Sequence, residues 1–478
     1  MVQNLANLEP RPALGPLDGR YAPVVAPLVD YFSEPALGRM RLHVEVEWLI
    51  HLLSESALPG APIPNQAECD YLRSIVSSFG GPQIEELAAI ERYTAHDVKA
   101  VEYFLQRRLR EAADFFDGET CLTELEPALH FGCTSEDINS LSYALLVMGA
   151  MERIWLPAAT SLCDQLAALA QDHAGLAMLS RTHGQAATPT TLGKELAVTV
   201  HRLRRQLDRI RADEYLGKFN GATGTYGAHV VAAPGTDWIA LSRSFVEKLG
   251  LTWNPLTTQI ESHDWQSELY ADVARFGRIA HNLATDIWTY ISLGYFAQVR
   301  GQGTVGSSTM PHKVNPIRFE NAEANLEISG ALLDTLSATL VTSRLQRDLT
   351  DSTTQRNIGV ALGHSLLALD NLSRGLAGLD ANAAAMAADL EANPEVLAEP
   401  IQSVMRAAAL AGVTGLGDPY ERLKELTRGQ RVTQAQFTEF VGSLGLPPDD
   451  EARLRALTPA SYTGLAEELV RRYMTESG

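Results

Sequence analysis

The stretch Asp264–Phe296, DWQSELYADVARFGRIAHNLATDIWTYISLGYF, decides the fold class. Its apolar residues recur every three or four positions, and no proline interrupts them. These residues are Trp265, Leu269, Val273, Phe276, Ala280, Leu283, Ile287 and Ile291. The spacing predicts one long amphipathic helix. A helix of that length needs long neighbours to bury its apolar face, so we expect a helical bundle shared between chains.

Three other segments carry the same signal. Apolar residues at helical spacing run over 138–155. A threonine followed by proline, typical of a helix start, opens 188–215, and an Asn-Pro pair precedes Ile317–Leu340. Alternation with period two is scarce, so any strands are expected to be short. The sequence therefore predicts an all-α chain.

Segments rich in proline and glycine indicate three domains. LPGAPIPNQ and FGGPQ interrupt the first part of the chain, and GVTGLGDPY and LGLPPDD interrupt the last. We expect a mostly helical N-terminal domain over 1–122 and a C-terminal helical domain over 379–478. Between them, 123–378 would form the long central bundle.

The balance of charge restricts the partners. The 39 Lys and Arg residues against 58 Asp and Glu residues give a net charge of −19. A surface this acidic repels nucleic acids and anionic lipids. Neither is therefore an expected partner. An anionic substrate would require a local concentration of positive charge.

Several absences bear on localisation and on metals. The four cysteines form no CxxC pair, which favours reduced thiols and argues against zinc. No H-x₃-H spacing or acidic cluster supports another metal site. The start of the chain has no signal-peptide pattern, and no apolar run approaches the roughly 18 to 20 residues of a membrane span. We expect a cytoplasmic protein.

The segment 301–316, GQGTVGSSTMPHKVNP, is the most informative polar segment. Its glycines and adjacent serines predict a mobile loop before a capped helix. The alternative is an ordinary polar loop between helices. The loop is unusually long, however, and it combines a hydroxyl nucleophile with Lys313 and Asn315, which favours a catalytic role.

Histidine 183 lies in SRTHGQAATP (180–189), on a predicted turn before a helix. Its ring could face a cleft and, because histidine titrates near neutrality, protonate a leaving group. A single histidine is more often an ordinary hydrogen-bonded residue.

Two other polar segments each allow two interpretations. In HFGCTSEDIN (130–139), Thr134 or Ser135 could simply cap a helix, or the free N–H groups there could bind a carboxylate or phosphate. In SRLQRDLTDSTTQRN (343–357), Arg347 and Asp351 could form an exposed helix pair. Alternatively, the three arginines of this segment could bind a phosphate bidentately.

The motif GSSTMPHKVNP closely resembles the signature of the fumarase/aspartase superfamily. The segments LSRTHGQAATPTTLGKE, HFGCTSEDIN, SRLQRDLTDSTTQRN and LDGRY are similar to those of the adenylosuccinate lyases in their longer bacterial form. The similarity runs from about Leu17 to TPASYTG near the C-terminus. Fumarases and argininosuccinate lyases share the serine loop but differ around the other segments.

This resemblance implies a fold, an assembly and two reactions. The fold is a long central helical bundle flanked by two smaller helical domains. The assembly is a homotetramer in which three chains contribute to each active site. One reaction splits adenylosuccinate into AMP and fumarate, and the other splits the succinyl-carboxamide ribotide (SAICAR) into AICAR and fumarate.

The resemblance also implies residue roles. Ser307 would remove the Cβ proton, His183 would protonate the departing nitrogen, and Glu320 would orient this histidine. The implied substrate-binding residues are Arg20, Tyr21, Ala95, His96, Asp97, Thr134, Ser135, Gln259, Lys313, Val314, Asn315, Asn321, Arg347, Ser352, Thr353, Thr354, Gln355 and Arg356. The related enzymes often carry asparagine at the position of Ala95, so the hydrogen bond of that amide is lost here.

The chemistry is consistent with these roles. Elimination of fumarate passes through a carbanion stabilised by the adjacent carboxylate, and Lys313 and Asn315 are suitable donors for it. A serine becomes a base only where desolvation and a nearby cation stabilise its alkoxide, which a closing glycine-rich loop would provide. No metal or cofactor is expected. The alternatives are another fumarate-releasing lyase of the argininosuccinate type, or a catalytically silent helical scaffold.

Overall fold

The structure is a computed structural model that describes residues 12–298, 314–427 and 432–475. The chain divides into two compact units. The first contains Met1–Ala159, Gln206–Arg278 and Ala324–Asp370. The second contains Thr160–Arg205, Ile279–Glu323 and Asn371–Gly478. The predicted division into three domains stays a prediction.

Helices make up most of the described chain, as the all-α prediction requires. In chain order they are α1 (Ala22–Val25), α2 (Val29–Phe32), α3 (Glu34–Ser54), α4 (Gln66–Ser77), α5 (Gly81–Thr94), α6 (Asp97–Phe115), α7 (Ser135–Ala150), α8 (Leu156–Asp172), α9 (Leu192–Ala212), α10 (Gly227–Ala232), α11 (Trp238–Lys248), α12 (Asp264–Ser292), α13 (Ile317–Leu340), α14 (Thr350–Gln355), α15 (Ile358–Ala377), α16 (Ala383–Glu391), α17 (Ala398–Leu410), α18 (Pro419–Thr427), α19 (Gln434–Gly442), α20 (Pro448–Arg455) and α21 (Ala466–Thr475). A π-helical turn, Met151–Trp155, joins α7 to α8. Short 3₁₀ turns are Ala26–Leu28, Leu122–Glu124, Glu126–Ala128, Pro394–Leu397 and Pro459–Ser461.

The predicted long helices are present, with changes at some ends. Helix α13 has the predicted bounds. Helix α12 ends at Ser292 rather than continuing to Phe296, because Gly294 has a φ of +75° and terminates it. The N–H of Tyr295 donates to the carbonyl of Tyr290 at 2.9 Å, and Gly294 donates to Ile291 at 3.0 Å. This pair of bonds is a Schellman motif.

The strands of the described residues are short, as predicted. They are β1 (Ala177–Met178), β2 (Arg181–Thr182), β3 (Gln185–Ala186), β4 (Thr190–Thr191), β5 (Leu216–Gly217), β6 (Thr252–Trp253), β7 (Phe296–Gln298) and β8 (Leu379–Ala381). The pairs β1–β4, β2–β3 and β7–β8 are antiparallel, and β5–β6 is parallel.

Strands β1 to β4 form one β-hairpin over 177–191. Between its two pairs of strands, the N–H of Ala187 donates to the carbonyl of Ser180 at 2.9 Å. The predicted helix over 188–215 was therefore wrong at both ends. Thr190 and Thr191 pair with β1, and α9 occupies only Leu192–Ala212.

Each unit has apolar cores of its own. In the first unit, apolar side chains between residues 42 and 129 form a core among α3 to α6. Trp48 of the same unit packs on Phe219 and Phe245, with ring centroids 4.2 and 5.1 Å away. In the second unit, a separate core lies among α17 to α20 and includes the buried Met405 and Phe437. Among the described helices, none is both long enough and apolar enough to cross a membrane.

Candidate active site

In the first unit, hydrogen bonds and three ion pairs connect residues from five parts of the chain. This arginine–carboxylate network runs, in order, through Arg356, Asp97, Arg41, Asn139, Glu136, Arg347 and Gln259. The donor–acceptor distances along it are 3.3, 2.7, 2.8, 2.8, 2.8 and 3.4 Å. Four of the predicted binding residues therefore lie in one connected group: Asp97, Gln259, Arg347 and Arg356.

The N-terminus of α7 is fixed by a buried ion pair. Lys218 Nζ lies 2.8 Å from Asp137 Oδ1, and both side chains are fully buried. Asp137 also accepts from the backbone N–H groups of Asn220, at 2.9 Å, and Thr134, at 2.8 Å. Thr134 is the N-cap of α7, which agrees with the capping interpretation. Anion binding by Thr134 and Ser135 stays a prediction.

Arg347 does not form the exposed helix pair that was one interpretation of its segment. Helix α14 begins only at Thr350, so Arg347 lies before it. Its Nη2 lies 2.8 Å from Oε1 of the buried Glu136. Burial raises the pKa of Glu136, and the nearby guanidinium of Arg347 opposes that rise.

Asp351, the other member of that supposed pair, is buried. Its Oδ2 lies 3.4 Å from Nε2 of His263, which is also buried. Nε2 of Gln355 lies 3.3 Å from the same ring nitrogen. His263 therefore connects the segment after Gln259 to α14, a role that its sequence context did not indicate.

Arg356 follows α14 directly and makes four polar contacts. Its Nη1 donates to Oγ of Ser352 at 3.0 Å, and its other nitrogens pair with Glu34 and Asp97 at 3.1 and 3.3 Å. Burial disfavours the ionised Asp97 carboxylate, but Arg41, the N–H of Val98 and Arg356 together hold its pKa below the usual value. Arg356 and Ser352 are thus adjacent, as a shared phosphate contact requires.

Three other residues of the segment 343–357 lie outside the network: Arg344, Thr353 and Thr354. Arg344 is 81% exposed and pairs with Asp348 at 3.1 Å, so it lies outside the network. Thr354 donates its hydroxyl to the carbonyl of Thr350 within α14 at 2.7 Å, and Thr353 is exposed.

A cavity of about 270 Å³ lies beside Arg356. Its lining consists of Gly15, Pro16, Leu17, Asp18, Val25, Leu28, Val29, Phe32, Ser33, Arg356, Gly359, Val360 and His364. Arg20 and Tyr21 follow the lining segment 15–18, and the guanidinium of Arg20 lies 5.9 Å from the centre of the Tyr21 ring.

Ala95 and His96 lie between α5 and α6. His96 is the N-cap of α6, and its Nδ1 accepts from the N–H of Lys99 at 3.2 Å. Ala95 ends α5 with a φ of 50°, in the left-handed region. Asparagine adopts this conformation more readily than alanine, so the backbone geometry at this position favours asparagine.

The two predicted catalytic residues that the structure describes, His183 and Glu320, belong to the second unit. His183 and Gly184 form the two-residue turn of the hairpin 177–191, with φ values of 54° and 76°. This is a type I′ turn, and it places His183 at an exposed hairpin tip rather than directly before a helix. The Oε1 atom of Glu320, in the first turn of α13, accepts from the indole of Trp288 at 3.1 Å.

Several predicted site residues lie within or next to the segment 299–313, which is outside the described residues. Ser307 and Lys313 lie outside the described residues. The carbonyl of Val314 accepts from Gln298 Nε2 at 3.0 Å. Asn315 precedes α13, and Asn321 lies in its first turns.

Arg41, Glu136 and Asn139 are network members that the sequence did not identify as site residues. Arg41 lies within α3 with no motif around it, so no local pattern could have indicated it. Glu136 and Asn139 were visible only as parts of the conspicuous segment 130–139. Among the described residues, no group of three or more His, Cys, Asp and Glu side chains could hold a metal ion. The proposal of a cofactor-free reaction stays a prediction.

Chemically, the network presents cations to an anionic ligand. The guanidinium group of Arg347 pairs with the buried Glu136, and that of Arg356 pairs with the half-buried Asp97. Guanidinium matches the oxygens of phosphate and carboxylate in a bidentate manner. On a chain of net charge −19, these arginines are cations that an anionic substrate could bind, although each also pairs with a carboxylate of the chain.

Two solved structures share the fold of this chain. It matches a fumarate lyase from Mesorhizobium sp. BNC1 with a TM-score of 0.73 and 19% identity, over 95% of this chain and 98% of the other. It matches a 3-carboxy-cis,cis-muconate lactonizing enzyme from Pseudomonas putida with a TM-score of 0.70 and 21% identity, over 94% and 96% of the two chains. At such identities the likeness shows the fold alone, and it agrees with the predicted helical bundle.

Sequence relatives give the family. A family model described as "Lyase" matches residues 19–327, and one described as "Adenylosuccinate lyase C-terminal" matches residues 343–463. The adenylosuccinate lyases of Haemophilus influenzae and Escherichia coli K12 are each 46% identical to the chain, over 96% of its length and 98% of theirs. That of Legionella pneumophila strain Philadelphia 1 is 44% identical over the same shares. The chain is therefore a lyase and belongs to the adenylosuccinate lyase family.

Proposed function

We propose that this lyase eliminates fumarate from adenylosuccinate, giving AMP, and from SAICAR, giving AICAR. The observation that carries the proposal is the arginine–carboxylate network, in a chain 46% identical to enzymes named adenylosuccinate lyase. Arg347 and Arg356 are joined through carboxylates, so their guanidinium groups are pre-oriented before any ligand binds. A substrate without phosphate would leave this pair of arginines little to bind.

The nucleotide and the succinyl group would be held by different residues. Arg347, Ser352 and Arg356, with Arg20 and Tyr21, would bind the nucleotide, chiefly its phosphate. Thr134, Ser135 and Gln259 would line the pocket, together with His96 and Asp97. Lys313 and Asn315 would bind the succinyl carboxylates.

The reaction is an anti elimination that needs one base and one acid. Ser307 would take the Cβ proton of the succinyl group, and the negative charge would delocalise onto the adjacent carboxylate. His183 would protonate the nitrogen as the C–N bond breaks, and Glu320 would orient the histidine. His183 at the tip of an exposed hairpin is accessible to a substrate, which supports this role.

We further propose a cytoplasmic homotetramer in which three chains contribute to each active site. The resemblance to the family is the support for this assembly. Mixing two inactive variants tests it, for example His183→Ala with Ser307→Ala. If different chains contribute these residues, some mixed tetramers contain an intact site and activity returns. If one chain supplies both, the mixture stays inactive.

The decisive experiment is a spectrophotometric assay with adenylosuccinate in the absence of added metal. Loss of the succinyl-purine absorbance, with fumarate and AMP as products, is the expected result. Ser307→Ala and His183→Ala should then abolish most of the turnover, and unchanged turnover would refute the role of the residue concerned. A folded protein with no turnover would indicate argininosuccinate or a related succinyl compound as substrate, or a scaffold.

A further inference from the structure

The hairpin that carries His183 has little apolar burial to hold its tip. Residues 181–185 are all exposed. A general acid must nevertheless lie within hydrogen-bond distance of the atom that it protonates. The position of His183 therefore depends on polar contacts made by the two arms of the hairpin.

The first arm contacts Asp389 of α16. Nη2 of Arg181, two residues before His183, lies 2.5 Å from Oδ2 of Asp389. The phenol of Tyr295 donates to the same oxygen. Nδ2 of Asn393 donates to the carbonyl of Asp389 at 2.7 Å and lies 3.3 Å from Oδ1. Both carboxylate oxygens thus have donors, and the Asp389 side chain is only 23% exposed.

Asp389 is itself held by buried structure. Tyr295 is 1% exposed, and its carbonyl accepts from the N–H of Asn382, the N-cap of α16, at 2.8 Å. Met386 and Leu390 of α16 are buried. Burial and the neighbouring Asp389 raise the pKa of Tyr295, so the phenol keeps its proton at any working pH. The contact to Arg181 is therefore made from a rigid support.

The second arm contacts Glu399 of α17. Oγ1 of Thr188 donates to Oε2 of Glu399 at 2.6 Å, and the phenol of Tyr462 donates to the same oxygen at 3.1 Å. Ser180 of the first arm donates its hydroxyl to the carbonyl of Thr188. Carboxylates of two helices near the C-terminus therefore bind opposite arms of the hairpin.

We propose that Asp389, assisted by Glu399, is a positioning residue that sets the location of the His183 ring. The inference rests on the proposed function of His183 as the general acid. Asp389 does not touch the substrate in this proposal and acts only through Arg181 and the hairpin. A displacement of about 1 Å in a catalytic group can lower the rate about a hundredfold, so losing this contact should affect turnover more than binding.

The experiment is a double-mutant cycle between Asp389→Asn and His183→Ala in the full-length enzyme. Asparagine keeps the shape of the side chain but removes the charge that pairs with Arg181. Asp389→Asn should lower kcat by about tenfold to a hundredfold with KM nearly unchanged. In the His183→Ala background, the same change should alter the residual kcat less than about twofold, because a residue acting through His183 has nothing left to position.

Asp450→Asn is the matched control. Asp450 accepts from an arginine, Arg453, at 2.6 Å and is 26% exposed, so its environment resembles that of Asp389. Both residues lie in the second unit, but Asp450 pairs within α20 and not with the hairpin. This variant should keep the kcat of the parent enzyme.

The outcomes separate the two proposals. His183→Ala alone tests the acid: full turnover in this variant overturns the function proposed for His183 and the positioning role with it. If His183→Ala abolishes most of the turnover but Asp389→Asn lowers kcat by the same factor in the parent enzyme and in His183→Ala, only the positioning role is overturned. Should Asp389→Asn fail to fold, Glu399→Gln takes its place in the cycle. The same coupling to His183 is then expected: Glu399→Gln should lower kcat in the parent enzyme and change the residual kcat of His183→Ala less than about twofold, and additive losses again refute the proposal.

Discussion

Arg347 Nη2 lies 2.8 Å from Glu136 Oε1 in the arginine–carboxylate network. Glu136 is 4% exposed, and the Arg347 side chain is 22% exposed. Breaking such a pair by removing one partner costs more than the pair contributes, because the other charge stays buried and uncompensated. The pair therefore constrains which substitutions the site tolerates.

Arg347→Gln should destabilise the protein by about 2 kcal/mol. Removing one partner of a fully buried ion pair usually costs more, but Arg347 is partly exposed, so water compensates part of the loss. The double variant Glu136→Gln/Arg347→Gln should recover most of this loss, because it leaves no unpaired charge. Urea unfolding of the two single variants and the double variant measures the coupling. Equal losses for Arg347→Gln and the double variant would contradict the prediction. Arg344→Gln, an exposed arginine of the same segment, is the control and should change stability by less than about 0.5 kcal/mol.

The loss in Arg347→Gln should also depend on pH. Burial already raises the pKa of Glu136 above its usual value of 4.5, and removing Arg347 raises it further. A carboxyl whose pKa is raised by folding binds its proton more tightly in the folded state, so it costs stability as pH rises through that pKa. The deficit of Arg347→Gln should therefore shrink towards pH 4.5 and grow towards pH 8.

The helices could be predicted because their signals are local. The apolar spacing in α12 and the Asn-Pro pair before α13 lie within single stretches of sequence, and both helices were found. The hairpin at His183 was missed because strands of two residues are too short to show alternation. Its one local signal was His183-Gly184 itself, since both residues of a type I′ turn need a positive φ and glycine favours it.

The network could not be predicted because its contacts join distant parts of the chain. Arg41 meets Asp97 and Asn139 only after α3, α6 and α7 have packed together. The pairing of Arg347 with Asp351 was a reasonable prediction for a helix, but the helix begins after Arg347. Once Arg347 lies in a loop, the helical spacing no longer selects its partner.

Arg356 provides a direct test of phosphate binding. Arg356→Gln should raise KM for adenylosuccinate about tenfold or more, because a charged hydrogen bond to phosphate is lost. It should leave kcat/KM for the phosphate-free nucleoside, succinyladenosine, nearly unchanged, since that substrate has no phosphate to lose. Arg344→Gln is the matched control, because its side chain is 81% exposed and pairs with Asp348. A similar loss on both substrates would mean that Arg356 does not act through the phosphate.

Ala95→Asn should stabilise the protein by about 0.5–1 kcal/mol. Ala95 has a φ of 50°, which an ordinary L-residue adopts at a cost of roughly 1–2 kcal/mol and asparagine tolerates better. The same substitution at Ala89, an exposed position within α5, should instead cost about 0.5 kcal/mol through helix propensity. If backbone conformation is the cause, the melting temperature should rise in Ala95→Asn and fall in Ala89→Asn. A loss of stability at both positions would refute this explanation.

Replacing Asp213, which lies just after α9, should increase stability in a pH-dependent way. Burial, together with the charges of Asp272 and Glu268, raises its pKa from 3.8 to about 6. Its Oδ2 is buried and has no hydrogen-bond partner among the described residues. The C-terminal end of α9 adds the negative end of a helix dipole. The folded state therefore binds the Asp213 proton more tightly than the unfolded state does.

The sign of the effect follows from this difference in proton binding. Between pH 3.8 and about 6 the folded state holds more protons, so rising pH lowers the free energy of unfolding until Asp213 is ionised in both states. Asp213→Asn cannot ionise and should be more stable than the parent above pH 6, by about 1 kcal/mol after allowing for partial exposure. Below pH 4 the advantage should vanish. Asp208→Asn, at a 74% exposed carboxylate on the same helix that lies 3.5 Å from Arg211, should show no such gain. An advantage of Asp213→Asn that stays constant from pH 4 to 8 would mean that its charge is not the cause.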